Sequence, residues 1–239
     1  MNGLAIDTST FVMGVGVIKD GILVGECITN INKNHSLRLM PAIRNLLEEV
    51  EISPSELDRI IVSEGPGSYT GVRIGVTTAK TLAWSLGIPI VGVSSLEVLA
   101  HNGRYFGGLI SPFIDARRGQ VYTGLYRWSN GRIECVKEDQ IIQHSDWLSM
   151  LQNMDEEVLF LSADMDKHEE IITSALSKKA VIGNATELVP RPGELAFIGT
   201  QKEIEMETHE FHPNYIRLAE AETNWLAAKR GEESKNKGE

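Results

Sequence analysis

The first thirty residues carry apolar positions in short blocks of strand character, Leu4-Ala5-Ile6 and then Phe11 to Ile18. Lys19-Asp20-Gly21 between Ile18 and Ile22 is a hairpin turn, because glycine tolerates positive φ. The pattern predicts a three-stranded antiparallel meander ending near Thr29. The period then changes. Leu39, Ile43, Leu46 and Val50 recur at spacings of three and four, which predicts a helix. Pro41 must lie near its start or kink it, since proline has no N–H to donate. Ser53-Pro54-Ser55-Glu56 is a capping box with proline at the first helical position, so a short helix starts there. Arg59 to Ser63 reads as a buried strand, followed by a glycine-rich turn, a helix from about Gly71 to Leu86, and a strand from Ile88 to Val93. Ser94-Ser95-Leu96-Glu97 is a second capping box, opening a helix that ends near Gly103. Strand, helix, strand makes a right-handed crossover and a parallel pair.

The second half repeats this order. Leu109 to Ile114 and Gln120 to Trp128 read as strands, the latter with Val121, Thr123 and Leu125 alternating against Tyr122, Gly124 and Tyr126. Ser129-Asn130-Gly131 is a hairpin turn leading to a third strand, Arg132 to Gln143. Ser145 is placed as the cap of a helix through Met150, Val158 to Leu161 as a strand, and Lys167 to Leu176 as a helix. Both halves run meander first and α/β second, which predicts an α/β protein of two related lobes, each a mixed sheet flanked by helices.

The bulk numbers fit that size. The chain has 239 residues, with 42% hydrophobic and 23% charged positions, the proportions of a globular protein with a real core. The net charge of −10 disfavours broad nucleic-acid binding by the chain alone; it leaves room for a local basic patch. Cys27 and Cys135 have no metal or redox spacing and read as two buried free thiols in a reducing compartment. The start has no basic n-region, Asp7 interrupts its apolar run, and no apolar stretch is long enough to cross a bilayer. The expectation is a cytoplasmic chain with no membrane partner.

Candidate chemistry centres on Gly65-Pro66-Gly67-Ser68-Tyr69-Thr70-Gly71-Val72-Arg73, between a strand and a helix. It is neither a Walker loop nor a dinucleotide fingerprint. It is either a tight turn with Ser68 or Thr70 as N-cap, or a contact for an anion or partner. The helix after it carries only Arg73 and Lys80 as charges, with apolar residues around most of its circumference. It is either a central core helix or buried against another protein. Asp7-Thr8-Ser9 at the first strand's end is a capped turn or the metal-and-phosphate acid of a phosphotransferase. Asp7, Thr8, Gly67 and Ser68 are therefore the candidate anion or nucleotide contacts. The six histidines show no paired spacing of a metalloenzyme. Arg117 and Arg118, in a charged loop between strands, grip a phosphate or carboxylate or are simply solvated.

Several of these segments together resemble the TsaB (YeaZ) family, accessory subunits of the bacterial machinery that makes threonylcarbamoyladenosine in tRNA. They are Leu4 to Ser9, His35-Ser36 through Pro41, Gly65 to Arg73, Ser94 to Glu97, Asp115-Ala116-Arg117 with Val121-Tyr122, and Tyr215-Ile216-Arg217 with Ala219 to Glu222. The match runs in order over most of the chain and is loose from about Asp146 to Phe211. The resemblance implies the two-lobed fold of the actin, Hsp70 and sugar-kinase group. Its lobes would be 1–103 and 104–213, with a C-terminal helix 214–230 packed back on the first lobe and a disordered tail 231–239. It also implies partners: the catalytic paralogue TsaD, which transfers threonylcarbamoyl onto the adenosine beside the anticodon, and the ATPase TsaE. A homodimer would form in their absence, and tRNA contact would be indirect or weak. The paralogue's Asn-His-x-x-x-His metal motif, laid on this chain, falls on Ser94, Ser95 and Leu99, and leucine cannot ligate a metal. The expectation is a degenerate relative with no metal, no cofactor and no catalytic residue of its own.

The expected partner face is a pair of helices, offering Leu39, Ala42, Ile43 and Leu46 from one and Thr70, Val72, Arg73, Val76 and Lys80 from the other. On this reading Val76→Asp weakens association and leaves the monomer folded. Two rival readings remain. One is a nucleotide-dependent phosphotransferase or ATPase using Asp7 and the Gly65–Gly71 loop. The other is a peptidase, for which no nucleophile motif is present.

Overall fold

The computed structural model describes residues 1–31, 33–204 and 208–216. Strands β1 (Asn2–Asp7), β2 (Val12–Lys19) and β3 (Ile22–Asn30) form the antiparallel meander. Helix α1 (His35–Glu49), strand β4 (Arg59–Gly65), helix α2 (Tyr69–Leu86) and strand β5 (Ile90–Ser94) follow. The crossovers lay β4 parallel to β1 and β5 parallel to β4, giving the order β3-β2-β1-β4-β5. After the short helix α3 (Ser95–Ala100) the plan repeats with β6 (Leu109–Asp115), β7 (Gln120–Ser129), β8 (Arg132–Gln143), α4 (His144–Gln152), β9 (Val158–Leu161), α5 (Met165–Leu176) and β10 (Ala180–Ile182). The second sheet runs β10-β9-β6-β7-β8, the same order of strands as the first. A last helix, α6 (Pro192–Gln201), returns to the first sheet.

Side chains alternate across a strand, and this sorts the first sheet into two faces. Leu4, Ile6, Ile60 and Val62 meet Leu39, Ile43, Leu46 and Leu47 of α1 and Val72, Val76, Ala79 and Ala83 of α2. Ala5, Ile61, Val91 and Val93 meet Leu195, Ala196 and Ile198 of α6 and Val98 of α3. On the second sheet, α4 and α5 bury Trp147, Leu148, Met165 and Ile172 against one face. The other face takes Leu96, Leu99 and Ala100 of α3. Helix α3 is thus a wedge with one side in each lobe. Helix α6 lies close on β2 because Gly16 has no side chain: a Cβ there would sit 2.9 Å from the Pro192 carbonyl oxygen.

Several boundaries differ from the sequence reading. Pro41 lies inside α1, which starts earlier than expected because Asn34 accepts from the Ser36 N–H and caps it. Gln143, not Ser145, stands at the N-cap position of α4. Helix α3 stops at Ala100, and His101–Gly103 is a 3-10 turn. Strand β10 and helix α6 were not predicted. The second-lobe range 104–213 is too long: α6 packs on the first sheet, Phe211 joins the first lobe's core, and the Asn214 N–H donates to the Glu64 carbonyl. Residues 214–216 are not helical; the rest of the expected C-terminal helix and the tail 231–239 lie outside the described residues. Both cysteines are free, but Cys27 is half-buried and Cys135 exposed, so neither is the core thiol expected. Among the described residues no helix is long and apolar enough to cross a membrane.

Candidate functional site

The glycine-rich turn is closed by its own chain. Ser68 caps α2, its hydroxyl accepting from the Gly71 N–H at 3.3 Å. The β1–β2 turn lies directly against it. Ser68 N–H donates to the Ser9 carbonyl at 2.7 Å, and the Thr8 hydroxyl donates to the Gly71 carbonyl at 2.7 Å. A Cβ on Gly67 would collide with the Ser9 carbonyl oxygen, one on Gly71 with the Thr8 carbonyl oxygen, and one on Gly75 would sit 2.6 Å from the Thr8 hydroxyl. These glycines let two backbone segments touch. The space a phosphate would need is filled by carbonyl oxygens, which repel one.

Asp7 is sealed in the same place, 1% exposed. Its Oδ1 accepts from the Ser9 N–H at 2.8 Å and the Ser9 hydroxyl at 2.7 Å, while Oδ2 is buried with no partner among the described residues. Burial pushes the carboxyl pKa up, and the Ser9 hydrogen bonds oppose it. The structure brings the four candidate anion contacts Asp7, Thr8, Gly67 and Ser68 together, but occupies them with Ser9 and Gly71: Asp7 accepts from Ser9, Thr8 and Ser68 bond Gly71, and Gly67 abuts the Ser9 carbonyl.

The positions under the paralogue's metal motif have been taken over by structural roles. Ser94 caps α3 and also bonds Asp139, which in turn takes the Tyr126 hydroxyl. Ser95 is buried and its hydroxyl lies 2.8 Å from that of Ser63. Leu99 is a core residue. Among the described residues no group of three His, Cys, Asp or Glu is placed to hold a metal ion.

The two helices of the expected partner face do lie side by side, but their phase differs from the sequence reading. Leu39, Ile43, Leu46, Val72 and Val76 are core residues against the sheet, and Ala42 is half-buried beside them. Val76→Asp would therefore bury a charge in the core, and the expectation of a folded monomer is withdrawn. Lys80 turns away from α1, donating to the carbonyls of His209 at 3.0 Å and Phe211 at 2.6 Å. Thr70 and Arg73 are exposed. The Arg73 guanidinium donates to the Tyr69 hydroxyl at 2.7 Å and lies 4.9 Å from that ring's centre. Between the helices runs a groove of about 480 Å³ lined by Leu39, Met40, Tyr69, Arg73, Ile74 and Thr77. Large apolar side chains stand out on the outward sides of the two helices: Leu37 is 74% exposed, Met40 47% and Trp84 77%. These were missed. Their signal was present in the helical phase, since Leu37 and Met40 fall off the Leu39-Ile43-Leu46 stripe that points inward.

A cleft of about 800 Å³ lies between the lobes and shares Tyr69, Thr70 and Ile74 with the groove. Asp115 and Asp164 line it, both bridged by Lys167 (3.7 and 2.5 Å). Behind Asp115, His168 lies 3.6 Å away and shares a 2.8 Å contact between Nδ1 atoms with His144. Burial and the neighbouring His168 push the His144 pKa down to about 4, so this ring is neutral at physiological pH. Arg117 stands exposed on the cleft rim at φ 64°, its N–H turned to Asp115 Oδ1.

A family model described as TsaD, tRNA N6-adenosine threonylcarbamoyltransferase, matches residues 26–225. The tRNA threonylcarbamoyladenosine biosynthesis protein TsaB of Bacillus subtilis is 53% identical over 230 residues, covering 96% of this chain and 100% of that protein. The solved structure of YeaZ from Pseudomonas aeruginosa superimposes with a TM-score of 0.74 at 26% identity, over 90% of this chain and 99% of that one. A ROK hexokinase from Thermus thermophilus, at 10% identity and a TM-score of 0.50 over 84% of this chain and 100% of its own, shares the fold alone. The paired sheets are thus the two-lobed architecture of actin and the sugar kinases. Carrying that architecture with a closed glycine turn, and 53% identical to a full-length relative, the chain belongs to the TsaB (YeaZ) family of tRNA threonylcarbamoyladenosine biosynthesis proteins.

Proposed function

We propose that this chain is a non-catalytic subunit for threonylcarbamoyladenosine modification of tRNA beside the anticodon. It docks on the catalytic paralogue TsaD, works with the ATPase TsaE, and pairs with a second copy of itself when the paralogue is absent. The site of this work is the cytoplasm. The observation that carries the reading is the α1/α2 pair, an apolar groove lined in part by Met40, with Leu37 and Trp84 exposed on the same two helices. Large exposed apolar side chains of this kind cost hydration free energy until a partner covers them. Two helices per subunit suit a four-helix seam.

The closed turn also supports a scaffold over a phosphotransferase. A magnesium-nucleotide site needs an ionised, accessible carboxylate and open backbone N–H groups. Asp7 is buried with its pKa raised, and the turn's glycines abut carbonyl oxygens.

The test is light scattering on the chain mixed with the catalytic paralogue. A 1:1 complex is expected for the native chain. Leu37→Glu with Met40→Glu is expected to weaken it at least tenfold, as for central apolar anchors. Undiminished complex formation by that variant would refute the assigned face.

A further inference from the structure

Two cations on the cleft rim have no counter-charge. Lys33 and Arg117 are exposed and line the cleft, and neither side chain makes a hydrogen bond or ion pair among the described residues. The cleft's carboxylates, by contrast, both face Lys167, at 2.5 Å for Asp164 and 3.7 Å for Asp115. The rim is therefore locally positive on a chain of net charge −10. Two partly exposed aromatic side chains line the same cleft: Phe11 is 37% exposed and Tyr69 46%. The Tyr69 ring is already packed by Arg73, over its face, and by Tyr215, whose ring centre lies 5.3 Å from its own, so Phe11 is the ring with no aromatic or cationic neighbour among the described residues.

Cations free to meet phosphates, in a concave groove that also holds an exposed aromatic ring, are the chemistry that holds single-stranded nucleic acid. We propose that the interlobe cleft binds an unpaired segment of the tRNA substrate, with Lys33 and Arg117 on backbone phosphates and Phe11 stacking on a base. This rests on the proposed place of the chain in a tRNA-modifying assembly, and it gives the chain a direct contact with RNA. A free nucleotide is the poorer occupant, because the turn that would hold its phosphates is closed and Lys167 already lies against both Asp115 and Asp164, the carboxylates that line the cleft among the described residues. The cleft also opens onto the α1/α2 groove through Tyr69 and Thr70, so RNA lying in it would run toward a partner docked on those helices.

The experiment is binding of an unmodified tRNA transcript to the complex of this chain with its catalytic paralogue, titrated with salt. The native chain is compared with Lys33→Glu/Arg117→Glu and with Phe11→Ala. Both charge changes are at exposed positions. Light scattering on each complex reads the docking separately. With docking intact, the charge-reversed pair is expected to bind the transcript about tenfold more weakly near 0.2 M salt, with a salt slope smaller by about 1 to 2. Phe11→Ala is expected to weaken binding while leaving the slope unchanged. An intact complex with native affinity and slope in the charge-reversed pair overturns the proposal. So does magnesium-ATP binding in the cleft that Lys33→Glu/Arg117→Glu abolishes while transcript binding stays native. If the native chain forms no complex with the paralogue, the docking reading has failed. The same titration on the chain alone then decides the cleft, with a native slope in the pair again the overturning result.

Discussion

At the scale of residues, burial decides which side chains are available for function. Val76 is 2% exposed, so Val76→Asp buries an unpaired charge, at a cost on the order of 4 kcal/mol. Loss of the cooperative thermal transition at 37 °C is the expected outcome, read by circular dichroism. Leu37→Glu is the opposite case: exposed, and expected to change stability by no more than about 0.5 kcal/mol. Sequence reading found the two helices because their apolar residues recur at helical spacing. It missed the outward face because an inward stripe of Leu39, Ile43 and Leu46 and an outward Leu37 and Met40 look equally apolar in one dimension. Asp7 has a prediction of its own sign. Its folded pKa is raised, so the folded state holds the proton longer than the unfolded one does, and stability falls as pH rises through the window between the ordinary and the folded value. Asp7→Asn carries no such loss. It is expected to melt higher than the native protein at neutral pH and to show no advantage at pH 3; an equal or lower melting point at pH 7 would count against the account.

At the scale of elements, the glycine-rich turn was the most legible segment, and its ambiguity was real. The same residues can cradle an anion or let two backbones touch, and only the position of Ser9 and Thr8 decides. Gly67→Ala is expected to destabilise by about 1 to 3 kcal/mol, the cost of overpacking against the Ser9 carbonyl, measured by denaturant unfolding. Helix α6 was not legible for a physical reason. It is buried nearly all round, with Phe197 its one clearly outward apolar side chain between Pro192 and Thr200. It therefore has no polar stripe to set a helical period, and Gly193 and Gly199 lower its propensity. Those glycines are where it touches β3 and β4: a Cβ on Gly193 would meet Leu23, and one on Gly199 would meet Ile61. Strand β10, three residues long, is too short to show a period of two.

At the scale of the molecule, the duplication was visible as a repeated order of elements, and the structure gives it the same strand order in both sheets. The crossing of the lobes was not visible: α3 serves both sheets, and α6 leaves the second half to cover the first. The His144–His168 pair ties α4 to α5 inside the second lobe. His144 stays neutral down to about pH 4 in the folded chain, whereas an unfolded chain takes up its proton as pH falls below 6.5. The stability it contributes is complete above that value and is lost as pH falls toward 4. The melting temperature is expected to drop over this window, with a shallower drop in His144→Asn.

The central claim is that the chain acts by docking and performs no chemistry. Its most direct test is reconstituted tRNA modification with the catalytic paralogue, the ATPase, threonylcarbamoyl-adenylate and tRNA. The native chain, Asp7→Asn and Leu37→Glu/Met40→Glu are supplied in turn, beside a reaction with the chain omitted. Product is expected with the native chain and with Asp7→Asn, and little or none with the α1/α2 variant or on omission. Product lost with Asp7→Asn while the complex still forms would contradict the claim and restore a nucleotide-handling role for Asp7.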